Sequence, residues 1–167
     1  MSPSTASSTA LSTTPAKLEE LRGPVVETIS TILSTMLGLD IELREPGTLG
    51  AQHPILGTVS FEGEWRGSIS FACDRSQAFA FAGRLLEGSS TGTETVEDFV
   101  RDTIEEIINM VAGNFRAFLP AGTQQSIPLV VEGGNLRIHV CGERKESITV
   151  ALKTPLGPCD VTLTRVH

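Results

Sequence analysis

The sequence predicts an α+β fold, an antiparallel sheet with long helices packed on one face. Two patterns predict it. Three stretches carry apolar residues every three or four positions, as amphipathic helices do. Between them, short stretches alternate polar and apolar residues, as half-buried strands do. The halves also run through the same order, a helix followed by strands that contain a glycine-centred hairpin. Two αβ repeats are therefore expected.

The elements follow in order. Residues 1–16 read as a Ser/Thr/Ala/Pro tail with too little apolar content to fold, so a disordered segment is expected there, with the domain occupying 17–167. Over 17–39, Leu18, Leu21, Val25, Ile29, Ile32, Leu33, Met36 and Leu37 keep helical spacing. Pro24 suits only a first turn, so the helix should start near Gly23-Pro24, and Gly38 is a natural stop. Residues 40–44 alternate like a short strand, and 55–73 read as a hairpin turning near Glu62-Gly63-Glu64. A second helix is expected over 76–86, with Phe79, Ala82, Leu85 and Leu86 on its apolar side, and 88–95 as a loop. The longest helix should span 96–119, its apolar side formed by Phe99, Ile104, Ile107, Ile108, Val111, Phe115, Phe118 and Leu119, with Pro120 closing it. Strands 127–131 and 136–140 are expected to form a hairpin over Gly133-Gly134-Asn135. Strands over 147–152 and 161–166 complete the set.

Composition narrows the function. Thirteen Lys and Arg against 20 Asp and Glu give a net charge of −7 in 167 residues. That balance argues against nucleic acid, whose backbone demands a basic surface. No segment reaches the ~18 continuous apolar residues of a membrane span, and the N-terminus lacks the pattern of a signal peptide. No membrane partner and a cytoplasmic location are the expectations. Cys73, Cys141 and Cys159 form no CxxC pair, and their odd number suits reduced thiols. His139 and Cys141 are half a metal site at best, and a core Cys beside a surface His describes them better, so no metal is expected.

The segment with chemical content is 102–114, reading DTIEEIINMVAGN. Asp102, Glu106 and Asn109 stand at i, i+4 and i+7, which places them on one helix stripe, while Ile104, Ile107, Ile108 and Val111 fall largely on other faces. Helix stability alone would select neither Asn109 nor Gly113. Gly113 has a packing explanation, the close approach of another helix or strand. Asn109 has a chemical one: its amide carries a donor and an acceptor and can hold a water in fixed orientation. Glu106, one turn earlier, can fix a cationic group of a partner. On spacing alone, an exposed carboxylate and amide can equally serve solubility.

The run Glu106-Ile107-Ile108-Asn109-Met110-Val111-Ala112-Gly113-Asn114 resembles the signature helix of the CheC/CheX phosphatase family: an acidic or Ser residue, then ExxN, then M-[IV]-A-G-N. Asp102 fills the leading position, and Ser126-Ile127-Pro128 is similar to the Ser-x-Pro that follows that helix. The resemblance covers about 17–166. It implies two αβ repeats around an antiparallel sheet and dephosphorylation of a phosphorylated CheY-like response regulator. It also implies roles: Glu106 pairs with the receiver's Lys, and Asn109 inserts at the phosphoaspartate and orients water for in-line attack. Asp102, Glu106 and Asn109 would form the partner-binding stripe. Any Mg²⁺ would belong to the partner receiver, with no cofactor of this chain's own.

CheC-type members carry ExxN in both halves. Aligning Ile32–Gly38 on Ile107–Gly113 places Thr31 and Ser34 opposite Glu106 and Asn109, and neither can repeat their contacts. One active site is therefore expected, as in CheX-type members, and the short span from Asn109 to Pro128 agrees. CheX-type members dimerise by sheet pairing, which implies a homodimer. The alternative to an enzyme is a non-catalytic CheX-like module that binds a receiver or scaffold protein in two-component signalling.

Overall fold

The structure is a computed structural model that describes residues 17–47, 49–87, 95–134, 142 and 144–167. The expectations for 1–16, for most of the 88–95 loop, for the strand at 136–140 and for His139 and Cys141 lie outside these residues.

The chain enters through a 3-10 turn, Leu18–Leu21, that runs into helix α1, Arg22–Leu37. Pro24 sits in the first turn of α1, where its missing N–H costs no helical hydrogen bond. Gly38 ends the helix with φ +62°, a conformation in which its lack of a Cβ matters. Strand β1 is only Glu42–Leu43. The hairpin follows as β2, Pro54–Glu62, and β3, Gly67–Asp74, and then helices α2, Arg75–Leu86, and α3, Val96–Phe115. A 3-10 turn, Arg116–Phe118, succeeds α3. Strands β4, Gln124–Gln125, β5, Leu129–Glu132, β6, Lys145–Thr154, and β7, Gly157–Val166, complete the chain.

The strands form one antiparallel sheet in the order β1-β6-β7-β3-β2-β4, with β5 also on β2. The order explains the two repeats. The inner strands β3 and β7 of the two hairpins meet at the centre. The lone strand of the first half, β1, pairs with outer β6 of the second, and β5 of the second half pairs with outer β2 of the first. Each repeat thus covers the other's edge.

One face of the sheet carries the core. Ile55, Val59 and Phe61 of β2, Ile69, Phe71 and Cys73 of β3, and Val161 and Leu163 of β7 are buried with the apolar sides of the helices. Removing such side chains from water is the main stabilising term. The opposite face is a hydroxyl array. Ser60, Ser68, Thr164 and Ser147 are successive cross-strand neighbours, as are Thr58, Ser70, Thr162 and Thr149. Ser147 and Thr164 share a hydrogen bond of 2.9 Å, and Thr149 and Thr162 one of 3.0 Å. Cys73 and Cys159 are register partners at the sheet's centre, both free and buried. Burial pushes the Cys73 thiol well up and that of Cys159 to about 12, so both stay protonated.

Several sequence expectations are corrected. Phe79 is 46% exposed, whereas Ala78, Phe81 and Ala82 face the core. Phe81 meets Phe71 with ring centroids 6.2 Å apart, and this contact fixes the rotation of α2 in place of the Phe79 face. Phe118 is 45% exposed because α3 tightens to a 3-10 turn at Arg116 and its periodicity shifts. Ile127, expected within a strand, is 87% exposed. It lies in a β-bulge, where 126–128 oppose only Val59 and Ser60 between the pairs Phe61–Gln125 and Thr58–Leu129. Pro128 is tolerated there because a bulge needs no ladder N–H.

Asp74 caps α2. Its carboxylate accepts from the backbone N–H of His53, Ser76 and Gln52, which lower its pKa to about 2. A depressed carboxylate contributes stability above its unfolded pKa, about 4, and loses it as pH falls through the folded value. Asp74→Ala is expected to cost about 1 kcal/mol at pH 7. The gap from wild type should shrink as pH drops from about 4. Urea midpoints across that range check it, and a gap independent of pH would contradict the assignment.

Candidate functional site

The site is built on α3. Thr95 caps the helix, its hydroxyl accepting from the Asp98 N–H, and Glu97 and Asp98 suit the positive N-terminal end. Arg75 pairs with Glu97 at 3.1 Å and Glu132 at 3.7 Å, tying α2, α3 and β5 together at that end. Val100, Ile104, Ile107, Ile108, Val111, Ala112 and Phe115 are buried, which fixes the rotation of the helix about its axis. At its far end Phe115 lies 6.2 Å from Phe61, which in turn meets Trp65 at 5.8 Å.

With that rotation fixed, Asp102, Glu106 and Asn109 are all exposed along one stripe, as their spacing requires. The stripe continues through Gly113 to exposed Arg116, which borders an open hollow with Leu119, Pro120 and Thr123. The side-chain carbonyl of Asn109 accepts a hydrogen bond of 3.4 Å from the amide of Gln125. Its own N–H₂ group has no partner among the described residues. Asn114 instead folds back and donates to the Met110 carbonyl at 2.8 Å, so it is occupied within the helix.

Two sequence expectations need revision. Gly113 marks no close approach of another element. It is exposed, and a Cβ there would meet only the Gln125 carbonyl oxygen at 3.9 Å, an ordinary contact. The close approach lies one layer below, at Gly57 of β2, where a Cβ would come within 2.9 Å of Ile108 Cγ2. The glycines set opposite each other in the two halves also differ, since Gly38 ends α1 whereas Gly113 lies inside α3. Gly113→Ala should therefore stabilise the fold by about 0.5–1 kcal/mol, the helix-propensity difference. A lower melting temperature would show that Gly113 is constrained after all.

Ser126, singled out by sequence, is structural. Its hydroxyl accepts from the Ser60 N–H at 3.0 Å, and its own N–H donates to the Ser60 carbonyl at 2.9 Å, anchoring β4 to β2. Gln125 and Arg116 were not identified by sequence. Thr31 and Ser34 are exposed on α1, so the first repeat has Glu27 where the second has Asp102 but neither the carboxylate of Glu106 nor the amide of Asn109. Among the described residues no three His, Cys, Asp or Glu side chains converge as metal ligands, and no helix is long and apolar enough to cross a membrane.

A family model described as chemotaxis phosphatase CheX matches residues 55–152. No curated protein matches the sequence. Among solved structures, a chemotaxis protein CheX from Desulfovibrio desulfuricans superposes with a TM-score of 0.72 at 25% identity, covering 87% of this chain and 99% of the other. A chemotaxis protein CheX from Vibrio vulnificus gives 0.69 at 24% identity over 86% and 95%. A CheX–CheY–BeF3–Mg²⁺ complex from Borrelia burgdorferi gives 0.67 at 22% identity over 87% and 97%. The helices, the antiparallel sheet and the order of elements are those of this fold.

Proposed function

The chain belongs to the CheX family of chemotaxis phosphatases, and on that footing we propose that it hydrolyses the phosphoaspartate of a CheY-like response regulator. The observation that carries the reading is the stripe itself. Asn109 stands exposed on α3 with an N–H₂ group that has no partner among the described residues, one turn from exposed Glu106 and two from exposed Asp102. The solved Borrelia burgdorferi complex of a CheX with CheY supports a receiver as partner.

In this mechanism Glu106 pairs with a lysine of the receiver and sets the register of docking. Asn109 enters beside the phosphoaspartate and holds a water in line with the scissile bond. The water oxygen attacks phosphorus, the P–O bond to the aspartyl carboxylate breaks, and inorganic phosphate leaves. Mg²⁺ would be held by the receiver and would supply charge neutralisation there, with no residue of this chain needed to bind it. Such a reaction asks this chain for positioning rather than covalent chemistry, and a neutral amide can supply it. With a net charge of −7, the chain would be repelled by an acidic receiver at long range. The Glu106 pair then matters for register as much as for affinity. The chain acts in the cytoplasm, as a homodimer paired through its sheet.

The test is phosphate release from phosphorylated cognate receivers in Mg²⁺, with and without the protein. Decay of every receiver at its own unassisted rate would reject the reading in favour of a binding module.

A further inference from the structure

We infer that Gln125 is a positioning residue: it orients the Asn109 amide so that its N–H₂ edge faces the partner. The inference rests on the reading of Asn109 given above and extends it to a residue on another element.

The sheet register puts Gln125 there. It is the cross-strand partner of Phe61, and paired residues of antiparallel strands project to the same face. Phe61 is buried beneath α3 against Phe115, so the Gln125 side chain rises on the helix side of the sheet at the open edge of α3. Both hydrogen bonds between Ser126 and Ser60 clamp the neighbouring backbone, and the bulge after it leaves this register undisturbed. The amide reaches Asn109 beside Gly113, where even a Cβ would stand 3.9 Å from the Gln125 side-chain carbonyl oxygen, an ordinary contact.

The chemistry follows from which atoms are occupied. Gln125 Nε2 donates to Asn109 Oδ1, and Gln125 Oε1 is buried without a partner among the described residues. The Asn109 carbonyl is thereby drawn toward the protein, and its two N–H donors are left to face out. A free Asn on an exposed helix would sample several rotamers and both amide orientations. Fixing one before docking removes that cost from the reaction step.

Two substitutions test this. Gln125→Leu keeps the bulk, removes the donor and removes a buried unpaired oxygen, so the fold should be retained. Gln125→Glu offers only acceptors and should turn the Asn109 amide over. The first measurement needs no receiver: three-bond NMR couplings to Asn109 Cγ report its χ1 population, and NOEs from its side-chain N–H₂ protons report which way the amide faces. A single rotamer and one amide orientation in wild type, averaged in Gln125→Leu and with the amide turned over in Gln125→Glu, are expected. Unchanged couplings and NOEs would overturn the inference whatever the activity. The second is turnover of phosphorylated receiver, where Gln125→Leu should lower kcat about tenfold with KM little changed. In an Asn109→Ala background it should cost nothing further. An equal loss in both backgrounds would show that Gln125 acts independently of Asn109 and would also overturn the inference. Wild-type protein without turnover but with the rotamer change would reject the phosphatase reading and leave the positioning role standing.

Discussion

Asn109→Ala is expected to lower phosphatase turnover by about 10²–10³-fold, the loss seen when one preorganised polar group is removed from a transition state. Stability should not fall with it. Asn109 is exposed, and alanine is the better helix former, so the variant should melt at or slightly above the wild-type temperature. Receiver binding, measured with a non-hydrolysable phosphoryl mimic, should be nearly retained, since the amide acts on the water. Glu106→Ala should behave differently. It removes a charge that pairs with the partner, so it should raise KM several-fold as well as lower kcat, with the binding part screened by salt. The comparison separates three outcomes. Loss of kcat at Asn109 and of both parameters at Glu106 supports the mechanism. Full activity in Asn109→Ala means that hydrolysis, if present, uses another group. Binding without turnover in wild type makes the chain a receiver-binding module.

How much of this was readable in sequence depends on which interactions set each feature. Helix α3 was legible because its 20 residues repeat one local rule: the buried isoleucines and valines fall at helical spacing, and the polar stripe is their complement. Exposure of Asp102, Glu106 and Asn109 followed from that period alone. Helix α2 was harder. Its sequence offers Phe79 and Phe81, which project about 160° apart on a helix, and only contact with Phe71 decides between them. Gln125 was not legible. Its role depends on pairing with Phe61 across more than 60 residues of chain and on a bulge at 126–128, and β4 is two residues long, too short for any pattern. Gly113 shows a related failure. A glycine inside a helix suggests tight packing, but here the position faces outward and a Cβ would make only an ordinary contact with a neighbour's amide. The residues that touch a partner can be read from local periodicity, whereas those that orient them depend on register.

The same distinction locates the point where the sheet bears most directly on the site helix at Gly57. There β2 passes directly under α3, and the two strand residues that flank the crossing, Leu56 and Thr58, point to the other face. A Cβ on residue 57 would stand 2.9 Å from Ile108 Cγ2 and 3.1 Å from Ile104 Cγ2, both of them fully buried. Neither isoleucine can retreat, because each is fully buried on the face opposite the stripe. Gly57→Val should therefore destabilise the fold by about 1–3 kcal/mol, overpacking outweighing the better strand propensity of valine. The strain bears on function because Ile104 and Ile108 bracket Glu106 on the helix. Lifting or rotating α3 to admit the new methyl groups turns Asn109 relative to Gln125, which stays with the sheet. At a temperature where Gly57→Val remains folded, its turnover should fall while isolated helix stability is unchanged. The strain should be partly relieved by Ile108→Ala, so the double variant should lose less than the sum of the two single losses. Additive losses, or a Gly57→Val melting curve that overlays wild type, would mean that α3 is not seated on β2 at this residue.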